Sequence, residues 1–435
     1  MRVPRAVRPL RHPAYRWLAG NLVGSMLAEG LWVVALVWQV VALGGGPVEL
    51  SVVSGALAAG TLLTALPGGV LADRVPQRRI LVLVGVLQAG AVGAVAVLSL
   101  TGLLGLPALV VAAAAVGVAG GLLFPAYSAL VPRLVPAGEL QAVNGLEGML
   151  RPVLVSAVGP ALAGVVVAAA GPGPAMVAVA VSAAAALGCA VGLPRTTTAA
   201  PAAGAGAPSA LADLREGFRY MVRTRWLLVT LLFASLMVLV VLGPMEVLVP
   251  FAIKDRAGGG PTEHAVVLAM FGVGGAVGSL LAGSLRLPRR YLTAMISMWA
   301  LGCVPMVVFG LATSLVPMAA AALVVGALFN APQVVWGTLL QRRVPPVLLG
   351  RVSSLDFFVS LAFMPVSMAL AGPASVVVGL TPVFLVAGLG PVLVGAVALA
   401  LGRLGPDELA HPLEVAGPAT AAVTGPEGVS SPSGP

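Results

Sequence analysis

Arg16-Trp17-Leu18 near the start of the chain recurs as Arg225-Trp226-Leu227. A second stretch repeats with the same separation of 209 positions: Arg133, Val135-Pro136, Leu140, Leu146 and Glu147 are matched by Arg342, Val344-Pro345, Leu349, Leu355 and Asp356. Self-similarity at one fixed distance indicates a duplicated structural unit. The repeat therefore predicts two related halves that follow one another in parallel along the chain.

The composition is that of a membrane protein. Of the 435 residues, 59% are hydrophobic and only 9% are charged, and the mean hydropathy is +1.05. A soluble domain carries about 25% charged residues, so a chain of this composition has too few charged residues to form a soluble surface. A duplicated apolar chain is typical of secondary transporters, whose substrate site lies at the midplane between the halves. Solute transport is therefore the leading hypothesis.

Twelve apolar segments are long enough to cross a bilayer, whose core of about 30 Å needs about 20 helical residues. Six lie on each side of a polar break, so the predicted fold is an all-α membrane protein with two six-helix pseudo-repeats. The predicted spans are 17–43, 50–72, 80–101, 106–130, 140–169, 174–193, 226–252, 264–285, 291–311, 315–339, 349–372 and 381–402.

The basic residues predict the orientation. Of the 24 Arg and Lys residues, all but Arg151, Lys254 and Arg256 lie in alternate gaps between the spans or at the edges of those gaps, on the side that carries both termini. Under the positive-inside rule both termini are cytoplasmic. The net charge of +9 is thus explained by topology, and we expect a multi-pass protein of the plasma membrane without a nucleic-acid partner.

Four regions follow from this pattern: a first half over 1–194, a cytoplasmic linker over 195–225, a second half over 226–403 and a disordered cytoplasmic tail over 404–435. Apolar residues between Leu211 and Val222 recur on one helical face, opposite Arg215, Glu216 and Arg219. This spacing predicts a short amphipathic helix on the membrane surface.

Motifs for enzyme chemistry are missing from the sequence. The only lysine, Lys254, is not part of a P-loop. His12, His264 and His411 are far apart and lie outside the predicted spans, so we expect no metal site and no cofactor. The sequence predicts that the protein is not an enzyme.

Glu29 is the most informative single residue. It lies near the middle of the first span, without a basic residue within one helical turn, and the repeat places Val238 at the matching position. A charge at this depth costs a few kcal/mol, so the side chain faces a watery cavity or stays protonated. This suits a proton-coupling carboxylate or the counter-charge of a cationic solute. The alternative is a structural acid bonded to a neighbouring helix.

Further charges lie inside the spans. Glu147 and Arg151 are one turn apart in the fifth span, where they can form an ion pair that locks or gates helices. The repeat keeps an acid, Asp356, without an arginine one turn on. Direct substrate contact is the alternative. Glu246 lies near the outer end of the seventh span, and we interpret it as interfacial.

The tryptophans divide by depth. Trp17 and Trp226 lie at the cytoplasmic edge of spans and are predicted to anchor the protein at the membrane interface. Deeper in the spans, Trp32, Trp38 and Trp336 are candidate walls of a cavity for apolar or cationic ligands, although simple helix packing is the alternative.

A loop motif between the second and third spans carries a family resemblance. Gly69-Val70-Leu71-Ala72-Asp73-Arg74-Val75-Pro76-Gln77-Arg78-Arg79 resembles the signature Gly-x-Leu-x-Asp-Arg-x-Gly-Arg-Arg/Lys of the major facilitator superfamily. Pro76 and Gln77 depart from that pattern. The resemblance implies a gating role for Gly69, Asp73, Arg74, Arg78 and Arg79, whose charged bonds to a neighbouring helix form in one conformation and break in another.

Other short sequence motifs resemble those of one branch of this superfamily. Gly159-Pro160-Ala161-Leu162-Ala163-Gly164 is similar to the core of the antiporter signature of exporters, with Ala163 in place of a glycine. Together with Ala28-Glu29-Gly30 and Phe124-Pro125-Ala126-Tyr127, it resembles the proton-driven drug-efflux branch that includes the enterobactin exporter and macrolide-efflux proteins.

The resemblance implies a carrier that works by alternating access. It exports an amphipathic drug-like molecule or secondary metabolite in exchange for protons, and it works as a monomer in the lipid bilayer. Two alternatives stay open at this point: a proton-coupled importer of a small solute, and a membrane sensor that binds a ligand without moving it.

Overall fold

The computed structural model describes residues 5–136, 139–194, 210–285 and 288–412. Within these ranges, twelve helical spans are long and apolar enough to cross a membrane. We number them spans 1 to 12: Pro13–Ala42; Pro47–Arg74; Gln77–Leu100; Leu106–Leu134; Leu140–Arg151 with Pro152–Val158 and Gly159–Ala170; Pro172–Gly192; Arg225–Gly243 with Pro244–Leu248 and Val249–Ala257; Pro261–Ser284; Tyr291–Gly302 with Met306–Leu311; Leu315–Arg343; Pro346–Leu361 with Met364–Val378; and Leu380–Gly402. The predicted all-α fold with twelve spans is confirmed.

Local sequence fixes the same helix start in both halves. Span 2 begins with Pro47 and span 8 with Pro261, and each has a glutamate two residues further on. The Gly46 amide donates to Glu49 at 2.8 Å, and the Gly260 amide donates to Glu263 at 2.6 Å. Proline suits the first helical position because it has no amide proton to leave unpaired, and the carboxylate satisfies an exposed amide at the helix end. The halves therefore share local structure as well as sequence pattern.

Spans 5 and 7 are not regular α-helices. Each contains a π-helical segment that begins with proline: Pro152–Val158 in span 5 and Pro244–Leu248 in span 7. A π-helical turn inserts extra backbone and redirects the neighbouring side chains, and such turns are frequent at functional sites. The sequence reading predicted plain helices over both stretches and missed these irregularities.

The buried apolar side chains form three clusters that show how the halves meet. On the side of the bundle away from the termini, one cluster contains residues of both halves, including Val37, Val53, Phe251 and Phe309. On the side of the termini each half has a cluster of its own, one around Tyr15 and the other around Trp299. The halves therefore share one buried core on the far side and have separate buried cores on the side of the termini.

Direct contacts between spans 2 and 11 hold the far side closed. The Gly372 amide donates to the Ser51 hydroxyl at 2.6 Å. A Cβ atom on Gly55 would lie 3.3 Å from the Ala369 Cβ. Such close approach of two helices depends on small residues, which bring the backbones into contact.

The segments outside the spans are partly helical. Residues 195–209 lie outside the described part, and a linker helix, Ala210–Arg223, follows them. Its Gly217 packs against Arg351 and Leu355 at the start of span 11, and its Glu216 pairs with Arg351.

The structure differs from the predicted disordered tail, because Leu404–Ala410 forms a terminal helix. Its Glu408 is fully buried and accepts hydrogen bonds from Leu292 and Thr293 at the start of span 9. A buried carboxylate at a helix start is stabilised by the free amides there, which explains the order of this segment. Residues 413–435 lie outside the described part.

Candidate functional site

The candidate site is a cavity of about 470 Å³ inside the first half. Spans 1 to 6 supply most of its wall, and Phe357 and Met364 of span 11 close it from the second half. The wall is mostly apolar, with a few polar side chains: Ser25, Glu29, Thr61, Gln88, Tyr127 and Arg151. A concave, largely apolar cavity with few polar groups is the usual form of a site for a drug-sized ligand, for which about 300–1,000 Å³ is typical.

Glu29 and Arg151 meet in this cavity. The Arg151 Nη1 atom lies 3.9 Å from Glu29 Oε1, and the two side chains are 49% and 47% exposed. The exposed fraction shows that both groups face open space although they lie within membrane spans. An ion pair this accessible adds little stability, so its charges remain free to exchange partners.

This pairing gives Arg151 a partner that the sequence interpretation did not include. The predicted partner was Glu147, one turn away on the same helix, whereas the ion pair in the structure joins Arg151 to Glu29 on another span. Arg151 and Glu147 both line a further groove between spans 5 and 8, of about 910 Å³, on the side of the termini. The signal available in the sequence was that Arg151 lies deep inside a predicted span, whereas the other basic residues lie outside the spans or at a span edge.

Glycines hold spans 1 and 5 together next to the ion pair. A Cβ atom on Gly30 would overlap the Leu154 carbonyl oxygen, and one on Gly159 would lie 2.7 Å from the Gly30 backbone. Gly159 starts the helix that follows the π-helical segment of span 5, with Pro160 at its first turn. The antiporter-like motif therefore lies against the residue that follows Glu29, which the sequence did not indicate.

Gly164, the last glycine of this motif, contacts the second half. A Cβ atom there would lie 2.8 Å from the Ala265 Cβ and 3.0 Å from the Pro261 carbonyl oxygen of span 8. One short stretch of span 5 thus touches span 1 within its own half and span 8 across the interface.

The loop motif has two described arginines. Arg78 donates from Nε to the Leu193 carbonyl at 2.8 Å and from Nη2 to the Val191 carbonyl at 2.7 Å, at the end of span 6. Arg79 is exposed. Gly69, Asp73 and Arg74 belong to the last turns of span 2, and their side chains lie outside the described part. The recorded bonds of Arg78 join helices of one half, and its gating role stays a prediction.

Asp356 lies in a separate cavity of about 280 Å³ in the second half. The Trp336 indole donates to Asp356 Oδ2 at 3.0 Å, and the Ser360 hydroxyl lies 3.3 Å from Oδ1. The repeat relates Glu147 to Asp356, but the two carboxylates have different surroundings.

The five tryptophans with a predicted role differ in their surroundings. Trp32 lines the candidate site, and its buried indole N–H has no hydrogen-bond acceptor among the described residues. Trp336 lines the Asp356 cavity, and Trp38 packs against the shared core. Trp17 is 47% exposed, but Trp226 is only 4% exposed and packs edge-on against Trp336 at 6.0 Å. The interfacial prediction for Trp226 is therefore wrong.

Comparison with known families identifies the fold. The model of the Major Facilitator Superfamily matches residues 18–359. The chain belongs to the major facilitator superfamily. It is therefore a multi-pass membrane transporter of small molecules rather than an enzyme, as the sequence predicted.

Named relatives of this superfamily member include drug exporters. It is 28% identical over 417 residues to "Multidrug efflux pump Tap" of Mycobacterium tuberculosis, covering 93% of this chain and 97% of that protein. The Tap pump of Mycolicibacterium fortuitum is 29% identical over 390 residues, covering 88% and 94%.

Solved structures share the fold. The nucleoside transporter NupG superposes with a TM-score of 0.70 at 13% identity, covering 89% of this chain and 99% of that chain. A POT family transporter in complex with 5-aminolevulinic acid has a TM-score of 0.70 at 12% identity, covering 90% and 96%. At these identities the likeness concerns the fold alone.

Proposed function

We propose that this transporter exports amphipathic drug-like molecules or secondary metabolites in exchange for protons. The observation that carries the proposal is the Glu29–Arg151 pair, which lies within the membrane spans and faces a cavity of drug-like size. The efflux pumps named above support export. The distribution of basic residues supports cytoplasmic termini in the plasma membrane.

The closed far side and the open groove give the proposal a conformational basis. With cytoplasmic termini, the groove between spans 5 and 8 lies on the cytoplasmic side, which supports an inward-facing state. Substrate enters from the cytoplasm or the inner leaflet. Rocking of the halves then opens the contacts between spans 2 and 11 and exposes the cavity outside. A monomer suffices for this cycle because both moving bodies belong to one chain.

Glu29 couples protons to this movement. In the inward-facing state its carboxyl group releases a proton to the cytoplasm, and the carboxylate is held by Arg151. In the outward-facing state a proton from outside binds the same carboxylate, which frees Arg151 and discharges substrate. Each proton that crosses inward carries one charge down a membrane potential worth about 2.3 kcal/mol per 100 mV.

The test uses everted membrane vesicles with an imposed proton gradient and a pH-sensitive dye. We expect antibiotics, dyes or siderophores to dissipate the gradient with the wild type and not with Glu29→Gln. Glu263→Gln is the matched control, because its side chain caps Gly260 at the start of span 8 and its amide oxygen keeps that bond. Proton-coupled efflux that persists unchanged in Glu29→Gln would refute the assignment. Uptake in the opposite direction would favour an importer, and tight binding without flux would favour a sensor.

A further inference from the structure

A second, smaller cavity of about 120 Å³ lies between the two halves. Spans 1 and 5 contribute Val33, Val155 and Ser156, and spans 7 to 10 supply the remaining wall. Phe271, Phe309, Met245 and Met306 give this wall polarizable surface, and Glu246 is its one ionisable group. The sequence interpretation of Glu246 as an interfacial residue is therefore wrong.

Glu246 has no positive partner in the described part of the chain. Across the described residues, neither a hydrogen bond nor an ion pair to its side chain is recorded, and the charged group that acts on it is another carboxylate, Glu29. Arg151, the nearest cation to Glu29, is paired there. A carboxylate in an apolar wall is costly unless a proton or a cation neutralises it. A positive charge bound in this cavity is therefore stabilised by the Glu246 carboxylate.

Both π-helical segments of the chain's described part face this cavity. Val155 and Ser156 belong to the π-helical segment of span 5, and Met245 and Glu246 belong to that of span 7. The Gly243 amide donates to the Ser367 hydroxyl at 2.8 Å, which fixes the start of the segment in span 7 against span 11. The irregular turn thus directs Glu246 inward from a helix that is otherwise buried among apolar neighbours.

The cavity has the size of a charged head group. A volume of about 120 Å³ greatly exceeds the roughly 10–15 Å³ that one water needs, but it is too small for a whole drug. Val155, Ser156 and Phe271 also line the groove of about 910 Å³ between spans 5 and 8. A ligand lying in that groove can thus place one end against the small cavity.

We propose that this cavity is a subsite for the ammonium group of a lipophilic amine, with Glu246 as the counter-charge. The inference rests on the proposed export function and names the class of substrate that the site selects. The two phenylalanine rings stabilise an alkylammonium group through their π-faces, and the methionines adapt to its methyl groups. The apolar body of the ligand occupies the groove.

The test compares two probes with the same apolar body. Diphenylhexatriene is neutral, and its trimethylammonium derivative carries a compact cationic head. Equilibrium binding is measured by energy transfer from tryptophan to the probe, with the purified full chain in lipid nanodiscs and empty nanodiscs subtracted. We expect the wild type to bind the cationic probe more tightly. Glu246→Gln should weaken binding of the cationic probe about tenfold or more and change binding of the neutral one less than about twofold.

Two further variants keep the result interpretable. Ala322→Leu adds volume to the wall of the small cavity and keeps the Glu246 carboxylate, and it should also abolish the preference for the cationic probe. Glu263→Gln should leave that preference intact. Equal binding of the two probes by the wild type, or a preference retained in Glu246→Gln, would overturn the subsite.

Failure of the subsite is separable from failure of the export proposal. If neutral substrates still dissipate the proton gradient while Glu246→Gln has no effect on the binding preference, only the subsite is wrong. If the preference depends on Glu246 but no substrate dissipates the gradient, the subsite stands and proton-coupled export does not.

Discussion

Removing the Glu408 side chain should unfold the second half at a lower temperature. This carboxylate is fully buried and accepts from the Leu292 amide at 2.7 Å, the Thr293 amide at 3.1 Å and the Thr293 hydroxyl at 2.6 Å. Glu408→Ala leaves these donors at the start of span 9 without an acceptor. It also removes a negative charge from the positive end of that helix.

The magnitude follows from those contacts. A buried donor left unpaired costs about 1–3 kcal/mol, and a favourably placed charge at a helix start contributes up to about 2 kcal/mol. Because the Thr293 groups are only partly buried, water replaces some of the lost bonding. We therefore expect the free energy of unfolding to fall by about 3 kcal/mol and the midpoint to fall by at least about 5 °C. Glu408→Gln keeps an acceptor oxygen, so its free energy of unfolding should lie between those of the wild type and Glu408→Ala.

The chain provides its own reporter for this measurement. Cys303 is 1% exposed and belongs to the core cluster of the second half. In a Cys189→Ser background, a thiol-reactive fluorescent dye therefore reports when this core opens on heating. Glu216→Ala is the control, because Glu216 is 60% exposed in its pair with Arg351 and such surface pairs contribute about 0–1 kcal/mol. Equal midpoints for Glu408→Ala and the wild type would refute the reasoning, as would an equal loss in Glu216→Ala.

Three further predictions concern the site and the closed side. Gly30→Ala should lower stability by about 2 kcal/mol or more and impair transport because the added methyl group meets the backbone of span 5, whereas Gly93→Ala, which meets open space, should gain up to about 1 kcal/mol in thermal melts. Arg151→Gln should leave the melting temperature nearly unchanged, because the pair is half exposed, but should alter the pH dependence of vesicle transport; Arg151→Lys should restore part of it, and an unaltered profile in both would argue against a coupling role. In a cysteine-free background, Gly55→Cys with Ala369→Cys should form a disulfide that blocks transport, since the Cβ separation of 3.3 Å is close to the ~3.5–4.5 Å range of disulfides; free transport in the oxidised protein would show that this side need not open.

The sequence predicted the features that depend on length, hydropathy and repetition. The twelve spans and the duplicated halves follow from the requirement that backbone groups in lipid be satisfied within helices. The helix starts at Pro47 and Pro261 show the same local rule in both halves. These features depend on the sequence of single segments, so they can be predicted without knowing how the segments pack.

Only part of the candidate site could be predicted from the sequence, because its contacts join segments that are distant along the chain. Glu29 could be identified because a charged residue in the middle of a span is too costly to face lipid. Its approach to Arg151 could not, because it depends on the backbone contact between Gly30 and Gly159. Glu246 was misplaced because a regular helix was assumed where span 7 is π-helical. Helical periodicity assumes a constant number of residues per turn. Where a π-helical turn changes that number, the predicted direction of the following side chains is wrong.

Positions that the repeat relates to each other differ between the halves in how their polar groups are bonded. In the second half, the carboxylate of Asp356 is already bonded to Trp336 and Ser360, and Val238 occupies the position that the repeat relates to Glu29. In the first half, Glu29 shares only a long, exposed pair with Arg151, and the Trp32 indole lacks an acceptor in the described part. Polar groups with unused bonding capacity bind ligands or protons, whereas satisfied ones hold helices in place. Because rocking of two bodies needs only one of them to change its charge, the proposed proton exchange at Glu29 in the first half is compatible with an Asp356 that stays bonded in the second half.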